Sequence, residues 1–339
     1  MRTAIAQIRA RLGHRWLIAA AVALLVLAAV ASTPHLLGDH VEDAIVTVRR
    51  ADPTWLWISA LGFVAAFAAA AGSWRCAIGL TGGRVTFTDA CARYGAGSLV
   101  NTFVPARAGD AVRLALFSRS IENDHRLLTA AGSFALLGAA RALVIGALVV
   151  VGTLAGAVPL WPLLVAVGLA AAAVVVAVLS RRTQAHILDA FRAVTQEPAG
   201  AARLIGWMVL STLARLLSAA AIGAALGIRQ PLAAAVVIVP ALDIASLVPL
   251  TPGNIGVTSG AIAVAFKAHG VSFNQGLAAG IAFHAVETAV GLTAGVASLL
   301  WLAPYQSPAT RRRLLLGGAT ACAIALGSTF TVTVLSSLV

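Results

Sequence analysis

Residues 101–110 read NTFVPARAGD and sit between two apolar stretches, LV at 99–100 and LALF at 114–117. Pro105 has no N–H to donate and Gly109 permits a sharp reversal, so one helix can stop here and another can start. The second helix would present free N-terminal amides to an anion, with Arg107 and Arg113 adding full charges. A similar break occurs at 251–260, TPGNIGVTSG, inside a long apolar segment. There Pro252, Gly253 and Gly256 interrupt the run, while Asn254, Thr258 and Ser259 offer uncharged hydrogen bonds. Whether such breaks are surface turns or interruptions inside a membrane depends on what surrounds them.

The surroundings are those of a membrane protein. The chain has 339 residues, 60% hydrophobic and 11% charged, with a mean hydropathy of +0.93; soluble domains carry about a quarter charged residues. Apolar runs of about 20 residues recur, each long enough for a hydrocarbon core of about 30 Å, and backbone in lipid must satisfy itself, so the spans should be helices. Full spans are expected at about 16–33, 55–74, 128–154, 160–180, 203–227, 276–302 and 314–337. The expected fold class is an all-α polytopic membrane protein, with about seven transmembrane helices and two re-entrant broken-helix segments. The run from Trp16 to Ala31 follows Arg2, Arg9, Arg11 and Arg15. It is too long for a signal-peptide core and reads as a retained anchor.

The net charge of +12 does not point to nucleic acid, because the arginines lie in short loops beside apolar runs. If both broken segments enter and leave on one side, 18 of the 24 basic residues fall on a single side of the membrane. By the positive-inside rule that side is cytoplasmic. Only Arg49, Arg50, Arg229 and Lys267 fall outside, with Arg141 and Arg215 inside spans. The expected location is the plasma membrane, multi-pass, with a cytoplasmic N-terminus. The whole chain, 1–339, reads as one integral membrane domain. Residues 55–180 and 203–337 form two halves of opposite orientation, the order expected of an inverted repeat. Residues 181–202 link them; Ile187, Leu188, Phe191 and Val194 share one helical face, as in a helix lying on the cytoplasmic interface.

Ionisable groups deep in an apolar span cost several kcal/mol unless paired or hydrated, which makes each a functional candidate. They are Arg141, Arg215, Asp243, His284 and Glu287, with Arg107 and Asp110 at the first break. Two arginines and two carboxylates can neutralise each other as interhelical pairs, such as Arg215 with Asp243 or Arg141 with Glu287. Equally, a guanidinium suits a lipid phosphate through bidentate hydrogen bonds. His284 and Glu287 lie three apart on one helix face, close enough to share a proton or a cation. Cys76, Cys91 and Cys322 show no metal or disulfide spacing. No cofactor, metal site or catalytic residue is expected, and no nucleophile motif or phosphate loop calls for an enzyme.

The segments GSLVNTFVPARAGDAVRLALFSR and PLTPGNIGVTSGAIAVAFKAHGVS together resemble the flippase-like, lysylphosphatidylglycerol synthase transmembrane family. The resemblance covers nearly the whole chain. It carries the family's first motif onto Asn101, Pro105, Arg107, Gly109, Asp110 and Arg113, and its second onto Pro252, Gly253, Asn254 and Gly256. The chain departs from the family in three places: Ser259 stands where members commonly bring Glu, Asp110 where many have Glu, and His284 where a helical Arg is usual. A mechanism that depends on that Glu does not carry over. Bifunctional members also have a cytosolic aminoacyl-transfer domain, which these residues lack. The resemblance therefore implies lipid translocation, or support of a lipid-linked pathway, without synthase activity.

The expected function is translocation or binding of an anionic phospholipid or polyprenyl-linked intermediate. Arg107, Arg113, Arg141 and Arg215 would attract the phosphate. Asn101, Asp110, Asp243, His284 and Glu287 would position those arginines or couple to a cationic part of the headgroup, and the Pro and Gly breaks would supply bare helix ends. Two alternatives stand beside it: an accessory membrane protein supporting a separate glycosyltransferase or lipid-modifying enzyme, and an intramembrane transferase acting on a headgroup.

Overall fold

A computed structural model describes residues 46–103, 108–154, 181–245, 262 and 272–303. They form helices α1 (Pro53–Leu80), α2 (Phe87–Phe103), α3 (Ala108–Ser118), α4 (Arg126–Leu154), α5 (Arg181–Gln196), α6 (Pro198–Ala225), α7 (Pro231–Ala245) and α8 (Phe273–Leu302), with no strand among the described residues. Four of these helices, α1, α4, α6 and α8, run 28 to 30 residues and are apolar enough to cross a membrane. At 1.5 Å per residue each is about 42–45 Å long, which exceeds the hydrocarbon core and reaches the headgroups on both sides. The fold is an all-α polytopic one, and the expected spans at 55–74, 128–154, 203–227 and 276–302 fall on these helices. The spans expected at 16–33, 160–180 and 314–337 lie outside the described residues, as do the second break at 251–260, Pro105 and Arg107.

Local chemistry sets the ends of the long helices. Asp52 caps α1, its carboxylate accepting the Thr54 N–H at 2.8 Å, and Pro53 occupies the first turn, where a missing N–H costs nothing. At the other end Gly82 takes φ 87° and Gly83 N–H returns to the Ile78 carbonyl at 2.9 Å, closing the helix with a left-handed residue. α6 follows the same plan: Pro198 begins it, and Gly227, at φ 70°, ends it as Ile228 N–H reaches the Gly223 carbonyl at 2.9 Å. Ser272 caps α8 by accepting from Gln275 N–H at 3.3 Å.

α1 and α6 form the central antiparallel pair. In lipid, helix association relies on close approach of small residues and on interhelical hydrogen bonds. Ser59, Gly62, Ala66 and Ala69 on α1 are buried, as are Ser211, Ala214, Ser218 and Ala221 on α6. Ser218 Oγ donates to the Ser59 carbonyl at 3.0 Å and Ser211 Oγ to the Ala66 carbonyl at 3.2 Å. A Cβ on Gly62 would collide with Ser218 Oγ, and one on Gly72 would lie 2.6 Å from the Trp207 ring. Asp52 N–H also donates to the Ala225 carbonyl at 3.1 Å, joining the start of α1 to the end of α6.

α2 and α3 form a helical hairpin that leaves from the end of α1 and returns to it, since Arg84 N–H donates to the Ser120 carbonyl at 3.2 Å. The first broken segment, expected to be re-entrant, is thus a pair of packed helices, α2 and α3, on either side of residues 104–107. Trp74 stacks on Phe117 with ring centroids 4.6 Å apart, in an apolar cluster with Ile78, Leu136, Leu137, Leu204 and Met208. A second cluster forms towards the opposite end around Phe63, Ile222, Ile238, Val239 and Phe283, where the Phe63 and Phe283 rings meet edge to face at 4.8 Å. α8 ties the two regions together: its first half joins the Phe63 cluster, and its second half runs antiparallel along α2. There, a Cβ on Gly295 would lie 2.7 Å from the Leu99 side chain, and Trp301 Nε1 donates to Asp89 at 3.1 Å.

Large apolar side chains such as Leu61, Val64, Leu143, Val151 and Leu217 point outward, as they should on lipid-facing helix surfaces. α5 is helical as its amphipathic pattern predicts and lies against α4. Val194 packs into the Trp74 cluster while Leu188 and Phe191 are exposed.

The α1–α6 contact makes a direct prediction. Gly62→Leu should lower the thermal unfolding midpoint in detergent by forcing the pair apart, a cost of about 1–3 kcal/mol or more. Gly138→Ala on α4, where a new Cβ meets nothing within 4 Å, should leave it unchanged or raise it.

Candidate functional site

The charged residues of the spans gather at mid-depth. Arg141 lies 15 residues after Arg126 and 13 before Leu154, and Glu287 lies 14 after Phe273 and 15 before Leu302. Each is therefore about 20 Å from either end of its helix. Asp243, on α7, is 9% exposed, and one of its carboxylate oxygens accepts from two guanidinium groups, Arg141 Nη2 at 2.6 Å and Arg215 Nη1 at 2.7 Å. Arg215 Nη2 lies 3.8 Å from Glu287 Oε1, and His284 Nδ1 lies 3.6 Å from Glu287 Oε2. Four helices, α4, α6, α7 and α8, thus contribute to one network. Arg215 meets Asp243, one of the two pairs the sequence suggests, but Arg141 shares that same carboxylate and does not reach for Glu287.

The members differ in how far they are spent. The Arg215 side chain is enclosed, and its Nε is buried without a hydrogen-bond partner among the described residues. The Arg141 side chain is 47% exposed and uses one nitrogen on Asp243. A guanidinium presents five N–H donors in a planar fork, so Arg141 keeps an open face at the centre of a membrane helix. Pro240, one turn before Asp243, gives α7 no N–H at that point and frees the Val236 carbonyl from its usual partner.

A second polar group closes the hairpin. Asn101 Oδ1 accepts the Gly109 N–H at 2.6 Å, while its Nδ2 donates to Asp110 at 3.3 Å. Arg113 donates to Asp110 Oδ1 at 2.6 Å, to Ser98 Oγ at 2.7 Å and to the Tyr94 carbonyl at 3.3 Å, and its guanidinium lies 4.1 Å from the centre of the Tyr94 ring. Each nitrogen of Arg113 makes one hydrogen bond within the hairpin, which takes three of its five N–H groups. Gly97 and Gly109 bring the two backbones into contact, and a Cβ on Gly109 would strike both the Gly97 carbonyl and the Asn101 side chain. Tyr94 and Ser98 are not apparent as site residues from the sequence. Their spacing with Asn101, four and then three residues, places all three on one face of α2 and was the available signal.

No metal-binding group of three or more His, Cys, Asp or Glu side chains occurs among the described residues.

Fold and site define a class: an α-helical multi-pass membrane protein built on a helical hairpin and a charge network at mid-membrane. The chain belongs to the lysylphosphatidylglycerol synthase TM region family, whose model matches residues 16–295. That relationship makes it a membrane protein connected with lipid handling. No curated protein matches it.

Two substitutions separate the buried from the open part of the network. Asp243→Asn should cost about 3–5 kcal/mol by leaving two arginines without their counter-charge, read as a loss of folded, monodisperse protein. Glu287→Gln, at a 40% exposed side chain with contacts of 3.6–3.8 Å, should have a small effect in the same measurement. In the hairpin, Gly109→Ala should make residues 108–118 more accessible to a membrane-impermeant thiol reagent in a single-cysteine series.

Proposed function

We propose that this protein binds an anionic phospholipid or lipid-linked intermediate by its headgroup and moves it between leaflets of the plasma membrane, without changing it covalently. One observation carries the reading: Arg141, at the midpoint of a transmembrane helix, is held by Asp243 on one side and left 47% exposed on the other. An arginine facing bare hydrocarbon costs several kcal/mol, so an open guanidinium at this depth implies a hydrated path or an anionic partner. A phosphate suits that face, since two of its oxygens can take parallel N–H bonds. Glu287, half-exposed beside Arg215 and His284, stands ready for a cationic portion of the same headgroup.

In this reading Asp243 and Arg215 hold Arg141 in place, and Asn101, Asp110 and Arg113 fix the hairpin. The arginine-rich end, with Arg75, Arg84, Arg119, Arg126 and Arg203, is cytoplasmic by charge asymmetry. The inverted relation of 55–180 and 203–337 belongs to the same proposal, as does a second break at Pro252, Gly253, Asn254 and Gly256 that pairs with the first.

The test is leaflet exchange in proteoliposomes with fluorescent and native phospholipids and with polyprenyl phosphate. Wild type should accelerate exchange of at least one anionic species, and Arg141→Ala should slow it about tenfold or more, the loss of one charge-assisted contact of about 1.5–3 kcal/mol. Arg141→Ala with unchanged exchange would remove the headgroup assignment. Absence of exchange with every lipid, together with a stoichiometric enzyme partner retained in mild detergent, would favour the accessory role.

A further inference from the structure

A cavity of about 420 Å³ opens at the arginine-rich end, between the last turn of α1, the residues leading into the hairpin and the first turns of α6. Arg75, Arg84 and Arg203 line it and Glu197 is the single carboxylate among the lining residues, so three positive charges face one negative. Arg203 is occupied, donating to Glu197 at 3.1 Å and to the Ala199 carbonyl at 3.3 Å. The guanidinium groups of Arg75 and Arg84 make no hydrogen bond or ion pair with any described residue, and both side chains are exposed. Trp207 forms one wall, half-buried and stacked on Phe87 at 5.8 Å. The opposing floor is cut away at Gly79, where a Cβ would meet nothing within 4 Å. None of these residues belongs to the mid-membrane network or to the hairpin lock.

We propose that this cavity is a phosphate-binding site at the membrane interface, taking the phosphate of an anionic lipid headgroup or of a soluble phosphate ester. Two unpaired guanidiniums supply ten N–H donors in planar forks, the geometry that fits phosphate oxygens in pairs. The volume is that of a small-ligand pocket, large enough for a headgroup and too small for a whole lipid. Trp207, about 13 Å into α6, closes the inner side of the cavity with an indole ring. Occupancy joins three segments through one ligand: Arg75 from α1, Arg84 from the entry to the hairpin and Arg203 from α6. The site is independent of Arg141, so it loads whether or not the mid-membrane network moves lipid.

Cys76 lines the same cavity and is half-buried, which makes it a reporter. The experiment uses the full chain with Cys91 and Cys322 replaced by Ala, in phosphatidylcholine nanodiscs with or without phosphatidylglycerol, and follows alkylation of Cys76 by a neutral maleimide. At about ten times Kd, an occupant lowers the open fraction, and hence the labelling rate, about tenfold. Slowing by phosphatidylglycerol alone identifies the lipid headgroup. Slowing by inorganic phosphate or glycerol phosphate in pure phosphatidylcholine identifies a soluble ester. In either case the R75Q/R84Q variant should label at the unprotected rate, while Arg141→Ala keeps the protection. Equal labelling under all conditions, or protection that survives R75Q/R84Q, overturns the proposal. Loss of leaflet exchange in Arg141→Ala with Cys76 protection intact separates this site from the transport reading.

Discussion

A hydrocarbon interior offers no hydrogen-bond partner, and the long helices, their side-chain hydrogen bonds and the mid-membrane charge network all answer to that constraint. Backbone is folded into long helices, and polar side chains on them turn back to their own helix: Ser73 donates to the Ala69 carbonyl at 3.1 Å and Thr293 to the Ala289 carbonyl at 2.8 Å. Helix contact in lipid gains little from burying apolar surface, because the tails are as apolar as the side chains. Close approach of small residues supplies the attraction in its place, which is why Gly62 and Ser218, Gly97 and Gly109, and Gly95 and Ser298 define the closest crossings.

The same constraint explains the charge network. A single buried arginine or aspartate would be costly at mid-membrane, and the fold answers by giving Asp243 two guanidinium partners at hydrogen-bonding distance. The compensation is asymmetric: Asp243 is enclosed, Arg215 is enclosed with a spare buried N–H, and Arg141 remains open. Distances to Glu287 are too long for hydrogen bonds, so that carboxylate acts through its field alone.

Hydropathy locates the four long helices, and the Pro and Gly of residues 105–109 mark where α2 gives way to α3, because apolar length and helix-breaking residues are properties of local sequence. Helix ends were less legible: α1 extends to Leu80, past the apolar run that stops near 74, since Gly82 and Gly83 terminate it and hydropathy does not register a left-handed residue. The identity of the mid-membrane residues was legible from their cost in lipid. Their pairing was not, because α4, α6, α7 and α8 meet only in three dimensions, and Arg141 and Arg215 converge on one carboxylate. Tyr94 and Ser98 escaped notice because an uncharged residue on an amphipathic face carries no energetic alarm. Arg75, Arg84 and Arg203 counted only as orientation charges until the backbone brought them around one cavity.

The α1–α6 pair is fastened along its whole length: Asp52 to Ala225 at one end, serines to carbonyls in the middle, and Leu80 against Gly200 at the other, where a Cβ on Gly200 would lie 2.7 Å from the leucine. Two helices locked in this way behave as a mast. Sliding one along the other by a single turn would break both serine hydrogen bonds and drive side chains into glycine notches. The charge network is therefore built against a fixed post, since Arg215 stands on α6 and the other three helices bring their charged groups to it.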